Sequence, residues 1–224
     1  MATESLSAPA QMSRSVASVT PLVFIVDDDV SVRESIEFMV EHAGWRAEGF
    51  ASAREFLDRP RTACACCLVL DLSLPDLNGL EVQKRIVEER SEMPIIFITG
   101  RGDVPTSVQA MKAGAVEFLT KPFEPDTLLN AIESALNRSR ALLQELTSLQ
   151  ALRDRHGALS RREREVMALV VRGQLNKQVA GALGISEITV KAHRGRVMRK
   201  MRVRSLPELV NIAARLGLFP PDES

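Results

Sequence analysis

Cysteine and histidine are scarce in this chain and poorly placed for a disulfide framework or a metal cluster. Cys64, Cys66 and Cys67 crowd into one stretch, while His42, His156 and His193 lie far from them in sequence. An odd number of thiols argues against paired disulfides, and a metal cluster would need a fourth ligand. The cysteines read as reduced, small apolar side chains, which fits a cytoplasmic compartment. Long apolar runs are missing too, and none reaches the length of a bilayer span, so no membrane partner is expected. The first 20 residues, Ser- and Ala-rich with scattered charge, lack the apolar stretch of a signal peptide and read as a disordered tail. The single tryptophan, Trp45, carries no signal beyond packing.

Net charge is also absent, but only as a sum. Residues 1–150 hold 14 Lys/Arg against 22 Asp/Glu, a net of −8, and residues 151–224 hold 15 against 7, a net of +8. The 224 residues suffice for two domains that each bury a core. An acidic front and a basic back suggest different partners, with nucleic acid the obvious one for the back.

What is present in the front half is a series of short apolar runs that end in chemically useful residues. Leu22–Val26 ends in Asp27 and Asp28, Cys67–Leu70 in Asp71, Ile95–Ile98 in Thr99, and Val116–Leu119 just before Thr120, Lys121 and Pro122. A fifth run, Arg46–Phe50, is a short second strand in chain order. Helix-like segments separate the runs: 30–43 closed by Gly44, 52–57 capped by Ser52, one marked by Leu80, Val82, Ile86 and Val87, and one marked by Val108, Met111 and Ala115 with Gly114 as its stop. Strict alternation of this kind predicts an α/β doubly wound, five-stranded parallel sheet with helices on both faces. Ligand sites in such sheets form beyond the carboxyl ends of the strands. Three carboxylates there could hold Mg²⁺, and a hydroxyl and an ammonium beside them complete what an acyl-phosphate site requires. Gly100 would leave room beside Thr99, and Lys121-Pro122 is a candidate cis peptide. Taken singly, Asp27–Asp29 could be a solvated charge run and Lys121 a surface lysine; all of them at strand ends is the informative pattern.

Residues 22–137 resemble a response-regulator receiver domain, a flavodoxin-like fold. The carriers are Val-Asp-Asp-Asp at 26–29, Asp71, the Thr99-Gly100 step and Lys121-Pro122; Thr-Gly-Arg-Gly-Asp-Val-Pro and Met-Lys-Ala-Gly-Ala-Val-Glu-Phe-Leu-Thr-Lys-Pro-Phe resemble the FixJ-type branch. The resemblance implies that Asp71 is the phosphoacceptor. It implies that Asp27, Asp28, Asp71 and the backbone carbonyl of Ser73 bind Mg²⁺, with Asp29 a bystander. Thr99 and Lys121 would contact the phosphoryl group, and Phe118 would be an aromatic switch residue.

From Asp126 to Arg155 there is no Gly or Pro, and Leu128, Ile132, Ala135, Leu142, Leu146 and Leu149 recur at steps near three and four. This predicts one helix of roughly 40 Å, at about 1.5 Å per residue, ended by Gly157. Leu142–Leu149 fits either a short coiled-coil seam or an amphipathic linker. Ser160 with Glu163 is a capping box for a helix to Arg172, Asn176 caps a second helix to Leu183, Gly184 turns the chain, Ser186 caps a third to about Met201, and Ser205 opens a fourth. Helix, tight turn and helix make an all-α helix-turn-helix domain. The third helix would bury Val190, Val197 and Met201 and turn Lys191, Arg194, Arg199 and Lys200 outward.

Leu159–Met201 resembles the LuxR/NarL-type helix-turn-helix through Leu-Ser-Arg-Arg-Glu-Arg-Glu-Val, Asn-Lys-Gln-Val-Ala and Thr-Val-Lys-Ala-His. That implies Thr189, Lys191 and Ala192 in the groove, Lys177 and Lys200 near phosphates, and His193 as a helix-packing residue. Gly195 departs from the pattern, since relatives often place a longer side chain there.

The expected organisation is a tail at 1–20, a receiver at 21–137, a helical linker at 138–157 and a DNA-binding domain at 158–219. The expected function is phosphorylation-dependent transcriptional regulation. A sensor histidine kinase phosphorylates Asp71, and the protein binds double-stranded promoter DNA as a homodimer formed through residues 104–119. Its own chemistry would be limited to self-phosphorylation and slow autodephosphorylation. Two rival readings fit the residues less well. A regulator that ignores phosphorylation has no use for the full acidic set. A haloacid-dehalogenase-type phosphatase places its nucleophile after the first strand with a second Asp two residues on, where this chain has the third strand and Ser73.

Overall fold

The computed structural model describes residues 20–100 and 104–219. Most of the expected tail, and Arg101, Gly102 and Asp103 of the Thr-Gly-Arg-Gly-Asp-Val-Pro phrase, lie outside the described residues. The chain divides into two compact units between Leu143 and Gln144.

In the first unit, β1 (Leu22–Val26), β2 (Arg46–Phe50), β3 (Cys66–Asp71), β4 (Ile95–Thr99) and β5 (Glu117–Thr120) form one sheet in the order β2-β1-β3-β4-β5. Every pairing is parallel. All residues of β1, β3 and β4 are buried, as strands covered on both faces require. Their side chains alternate between two cores. Phe24, Leu68, Leu70 and Phe97 pack with Phe50 and Phe56 on one face; Ile25, Val69, Ile96 and Ile98 pack with Ile36, Val40, Leu128 and Ile132 on the other. The edge strand β5 is less covered and starts one residue later than the apolar run suggested, because Val116 closes the preceding loop.

The helices are α1 (Val30–His42), α2 (Ala53–Asp58), α3 (Gly79–Glu89), α4 (Val104–Lys112) and α5 (Pro125–Gly157). Asp29, outside the acidic cluster, caps α1: its carboxylate accepts from the Ser31 and Val32 amides at 2.8 and 3.3 Å. Ser52 caps α2 as expected, and Gly44 and Gly114 end the helices before them with φ of +85° and +97°. Val87, Val108 and Met111, used to mark α3 and α4, are exposed, so apolar spacing found these helices but overstated their buried faces. α5 runs unbroken through 33 residues, about 50 Å at about 1.5 Å per residue. Leu128, Ile132, Ala135 and Leu136 are buried, whereas Leu146 in the expected seam is exposed.

The second unit contains α6 (Arg161–Val170), α7 (Asn176–Leu183), α8 (Glu187–Met201) and α9 (Leu206–Arg215). Ser160 and Glu163 form the capping box, and Ser186 and Ser205 cap α8 and α9. Asn176 does not cap α7. Leu175 occupies the cap position, its amide donates to Gln178 Oε1 at 2.8 Å, and Asn176 Oδ1 instead accepts from Arg194. α6 stops at Val170, two residues short of the expected end, and the chain turns through Gly173 at φ +82°. Val190, Val197 and Met201 are buried against α6, α7 and α9 as the spacing required.

Candidate phosphoryl and metal site, and candidate nucleic-acid interface

Sheet order reverses at β1 and β3, and the acidic residues stand at the carboxyl ends of these two strands. Asp27 and Asp71 are buried and Asp28 is exposed, and one oxygen from each lies within 4.8 Å of the others. Lys121, following β5, bridges the cluster: its Nζ donates to Asp27 Oδ2 and to Asp71 Oδ2, both at 2.6 Å. The Lys121–Pro122 peptide is cis. Thr99 is fully buried at the end of β4, and its carbonyl accepts from the Lys121 amide at 2.7 Å. The Ser73 amide donates to Asp71 Oδ1 at 2.8 Å, drawing the backbone of Ser73 towards the same carboxylate. The structure thus brings together Asp27, Asp28, Asp71, Ser73, Thr99 and Lys121. Phe118 is half-buried, with its ring 6.3 Å from that of Phe97.

Burial pushes the Asp27 carboxyl above its ordinary range, against the opposing pull of its hydrogen bond from Lys121. Burial also works against the Lys121 charge, but the hydrogen bonds to Asp27 and Asp71 outweigh it and hold that pKa above the usual lysine value. One ammonium against three carboxylates leaves a negative cluster of hard oxygen donors, the donor set suited to a divalent hard cation. Cys66 and Cys67, by contrast, are inert: burial, with Cys64 nearby, pushes the Cys66 thiol up to about 12, and burial raises Cys67 as well.

Three supports of this site were not legible as such. Gly79 opens α3 against the end of β3; a Cβ there would lie 3.0 Å from Leu72 Cα and 3.1 Å from the Asp71 carbonyl oxygen, so any larger residue would crowd the backbone. Asp76 ties the loop after β3 to the start of α2, accepting from the Ala53 and Arg54 amides at 3.3 and 3.0 Å. Arg33 donates to the Asp27 carbonyl at 2.7 Å. Gly and Asp in a turn-rich loop suggest a turn, and nothing in the sequence pairs them with α2 or β3. A Cβ on Gly100 would meet nothing within 4 Å, consistent with open space beside Thr99.

In the second unit, Lys177, Lys191, Ala192 and Arg199 are exposed and Thr189 is half-buried beside the Ser186 cap. Arg194 differs from the outward placement, and Lys200, though exposed, is tethered within the unit. Arg194 is half-buried and donates to Asn176 Oδ1 at 2.5 Å, holding α8 to α7. Lys200 donates to Glu163 Oε2 at 2.7 Å and to the Ala158 carbonyl at 3.1 Å, holding α8 to the start of α6. That hydrogen bond, with one from the Ser160 amide, lowers the Glu163 pKa. His193 is half-buried, in line with a packing role. Among the described residues, no helix is long and apolar enough to cross a membrane.

Comparison with known proteins matches both units. Residues 23–133 fit the response regulator receiver domain, and residues 157–213 fit the bacterial regulatory proteins of the luxR family. Nodulation protein W of Bradyrhizobium diazoefficiens is 45% identical over 202 residues, covering 90% of this chain and 89% of that protein. The transcriptional regulatory protein FixJ of the same organism is 40% identical over 197 residues, covering 88% of this chain and 96% of that one. The solved structure of the response regulator StyR superposes with a TM-score of 0.78 at 44% identity, covering 88% of this chain and all of that one. Strand-end chemistry, helix-turn-helix and whole-length relatives agree: this chain belongs to the response-regulator family and joins a receiver domain to a LuxR-type DNA-binding domain.

Proposed function

We propose that Asp71 accepts a phosphoryl group from a sensor histidine kinase and that the phosphorylated protein binds promoter DNA as a homodimer in the cytoplasm. The observation that carries this reading is Lys121 bridging Asp27 and Asp71 at 2.6 Å, with Asp28 beside them. An Asp71 carboxylate oxygen attacks phosphorus, the phosphorus–nitrogen bond to the kinase imidazole breaks, and the imidazole recovers a proton from water. Asp27, Asp28, Asp71 and the Ser73 carbonyl would hold Mg²⁺, which offsets the charge shared between carboxylate and phosphoryl group. Lys121 is placed to follow that charge from the carboxylate to a phosphoryl oxygen, and Thr99 to donate to another. Small acyl phosphates serve as donors by the same route, and water returns the aspartate slowly; no other catalysis is proposed.

The division of labour assigns 21–137 to the receiver, 138–157 to the linker and 158–219 to DNA binding. The dimer surface is α4 with β5. Val108 and Met111 expose 44% and 43% of their surface there, and Phe118, the proposed switch, sits on β5. On DNA, Thr189, Lys191 and Ala192 face the major groove, and Lys177 and Arg199 face phosphates. Arg194 and Lys200 act by holding α8 to its neighbours as well as through their charge. Treating the full chain with acetyl phosphate and Mg²⁺ should add the mass of one phosphoryl group, and Asp71→Asn should add none. An undiminished gain in that variant would overturn the assignment.

A further inference from the structure

α8 packs one side against its own domain and leaves the other without a partner among the described residues. Val190, Val197 and Met201 are buried on the inner side. At about 100° per residue, Ile188, Lys191, Ala192, Gly195 and Arg199 fall on the opposite side, and all five are exposed. Two of them are unfavourable choices for a domain alone. Ile188 exposes 80% of its surface, the most of any large apolar residue described. Gly195 sits inside the helix, where glycine is less stable than alanine. Its φ is not in the left-handed region, and a Cβ added to it would meet nothing within 4 Å. Neither its φ nor packing among the described residues calls for glycine there. A body that approaches α8 from outside, closer than alanine would allow, does.

Charge identifies that body. α8 carries Lys191, Arg194, Arg196, Arg199 and Lys200 against the single acid Glu187, the balance of a surface for a polyanion. A recognition helix in the major groove meets base edges through its N-terminal residues, and Ile188 is the second residue of α8. The one apolar group the major groove offers is the 5-methyl of thymine. We propose that Ile188 is a specificity-determining residue that reads a thymine 5-methyl group, and that Gly195 lets α8 lie deep enough in the groove for the contact. The inference rests on the DNA-binding reading above and adds the base that this face prefers.

The test begins with selection of a duplex from a random pool by the acetyl-phosphate-treated full chain. Each thymine of the selected duplex is then replaced in turn by deoxyuridine, which removes only the methyl group. At one thymine per half-site, uracil should weaken wild-type binding about fourfold, the transfer value of one buried methyl-sized group. Ile188→Ala should be indifferent to that replacement, and Ile188→Val should keep most of the sensitivity. Gly195→Ala should raise the melting temperature of the domain and yet weaken binding to the selected duplex. If every uracil affects wild type and Ile188→Ala alike, Ile188 does not read the methyl. Equal weakening by Ile188→Ala on selected and random duplexes would put Ile188 in assembly, and would likewise overturn the proposal. Tight binding by Gly195→Ala would remove the close approach. A pool from which no preferred sequence emerges is a different failure: it defeats the DNA-binding reading itself and takes this inference with it.

Discussion

The polar groups of the receiver site answer to one another, whereas the outer face of α8 meets nothing among the described residues. Asp27 and Asp71 are buried, bridged by Lys121 and held by backbone amides of Asp29 and Ser73. Ile188, Lys191, Ala192 and Gly195 stand in solvent. The contrast separates two kinds of function. A group-transfer site must fix charge before its small substrate arrives, so the protein supplies most of the partners and burial makes them strong. A DNA-reading face must leave its partners to the ligand, so its residues look unexplained until the duplex is considered. A side chain's satisfaction inside the fold is therefore informative in opposite directions in the two units.

Four measurements would break or sharpen that contrast, from the largest effect to the smallest. Mg²⁺ affinity should fall at least about tenfold in Asp28→Ala, by calorimetry, if the exposed carboxylate is a metal ligand; equal affinity would mean that the buried pair alone suffices. Light scattering of the full chain with a stable acyl-phosphate mimic should show a doubling of mass, and Val108→Glu with Met111→Glu should prevent it by setting charge on the exposed apolar patch of α4. A wild-type protein that remains monomeric at tens of micromolar would exclude this surface.

Lys191→Ala should cost about 1–3 kcal/mol on a selected duplex and change sequence preference. Equal weakening on random DNA would mean that Lys191 only touches phosphate. The smallest effect concerns the internally satisfied part of the DNA-binding unit. The folded-state pKa of Glu163 is depressed by Lys200 and Ser160, so the stability it contributes is present above the ordinary carboxylate range and lost as pH falls through that range to the depressed value. Melting curves between neutral and acidic pH should show this loss in wild type and a shallower dependence in Glu163→Gln. Ser160→Ala, which removes the cap itself, should cost about 1 kcal/mol at neutral pH.

Much of this was legible in the sequence because it depends on local rules. Asp27, Asp71 and Thr99 were placed at strand ends by apolar runs that stop abruptly, and the order of the elements followed from their alternation. The capping box at Ser160 and the inner face of α8 followed from fixed spacings. What misled was also local. Asn176 looked like a cap because asparagine favours that position, yet Gln178 satisfies the Leu175 amide and Asn176 turns to Arg194. Val108 and Met111 fit a helical stripe, but periodicity reports only that residues share a side, and α4 leaves that side open.

By itself, the sequence determined which strands and helices form, that five parallel strands carry acids, hydroxyl and lysine to one end, and that a basic helix-turn-helix follows. Backbone sterics, side-chain period and cap chemistry act over a few residues, so these features need no distant partner. Only the tertiary structure decided which charges meet. Lys121 lies 94 residues from Asp27 and 50 from Asp71, and their hydrogen bonds at 2.6 Å exist because β1, β3 and β5 belong to one sheet. The same holds for Asp76 on α2, Gly79 under Asp71, and Lys200 on Glu163. Sequence separation says nothing about distance once the chain has crossed over, and hydrogen bonding and steric exclusion act only at contact.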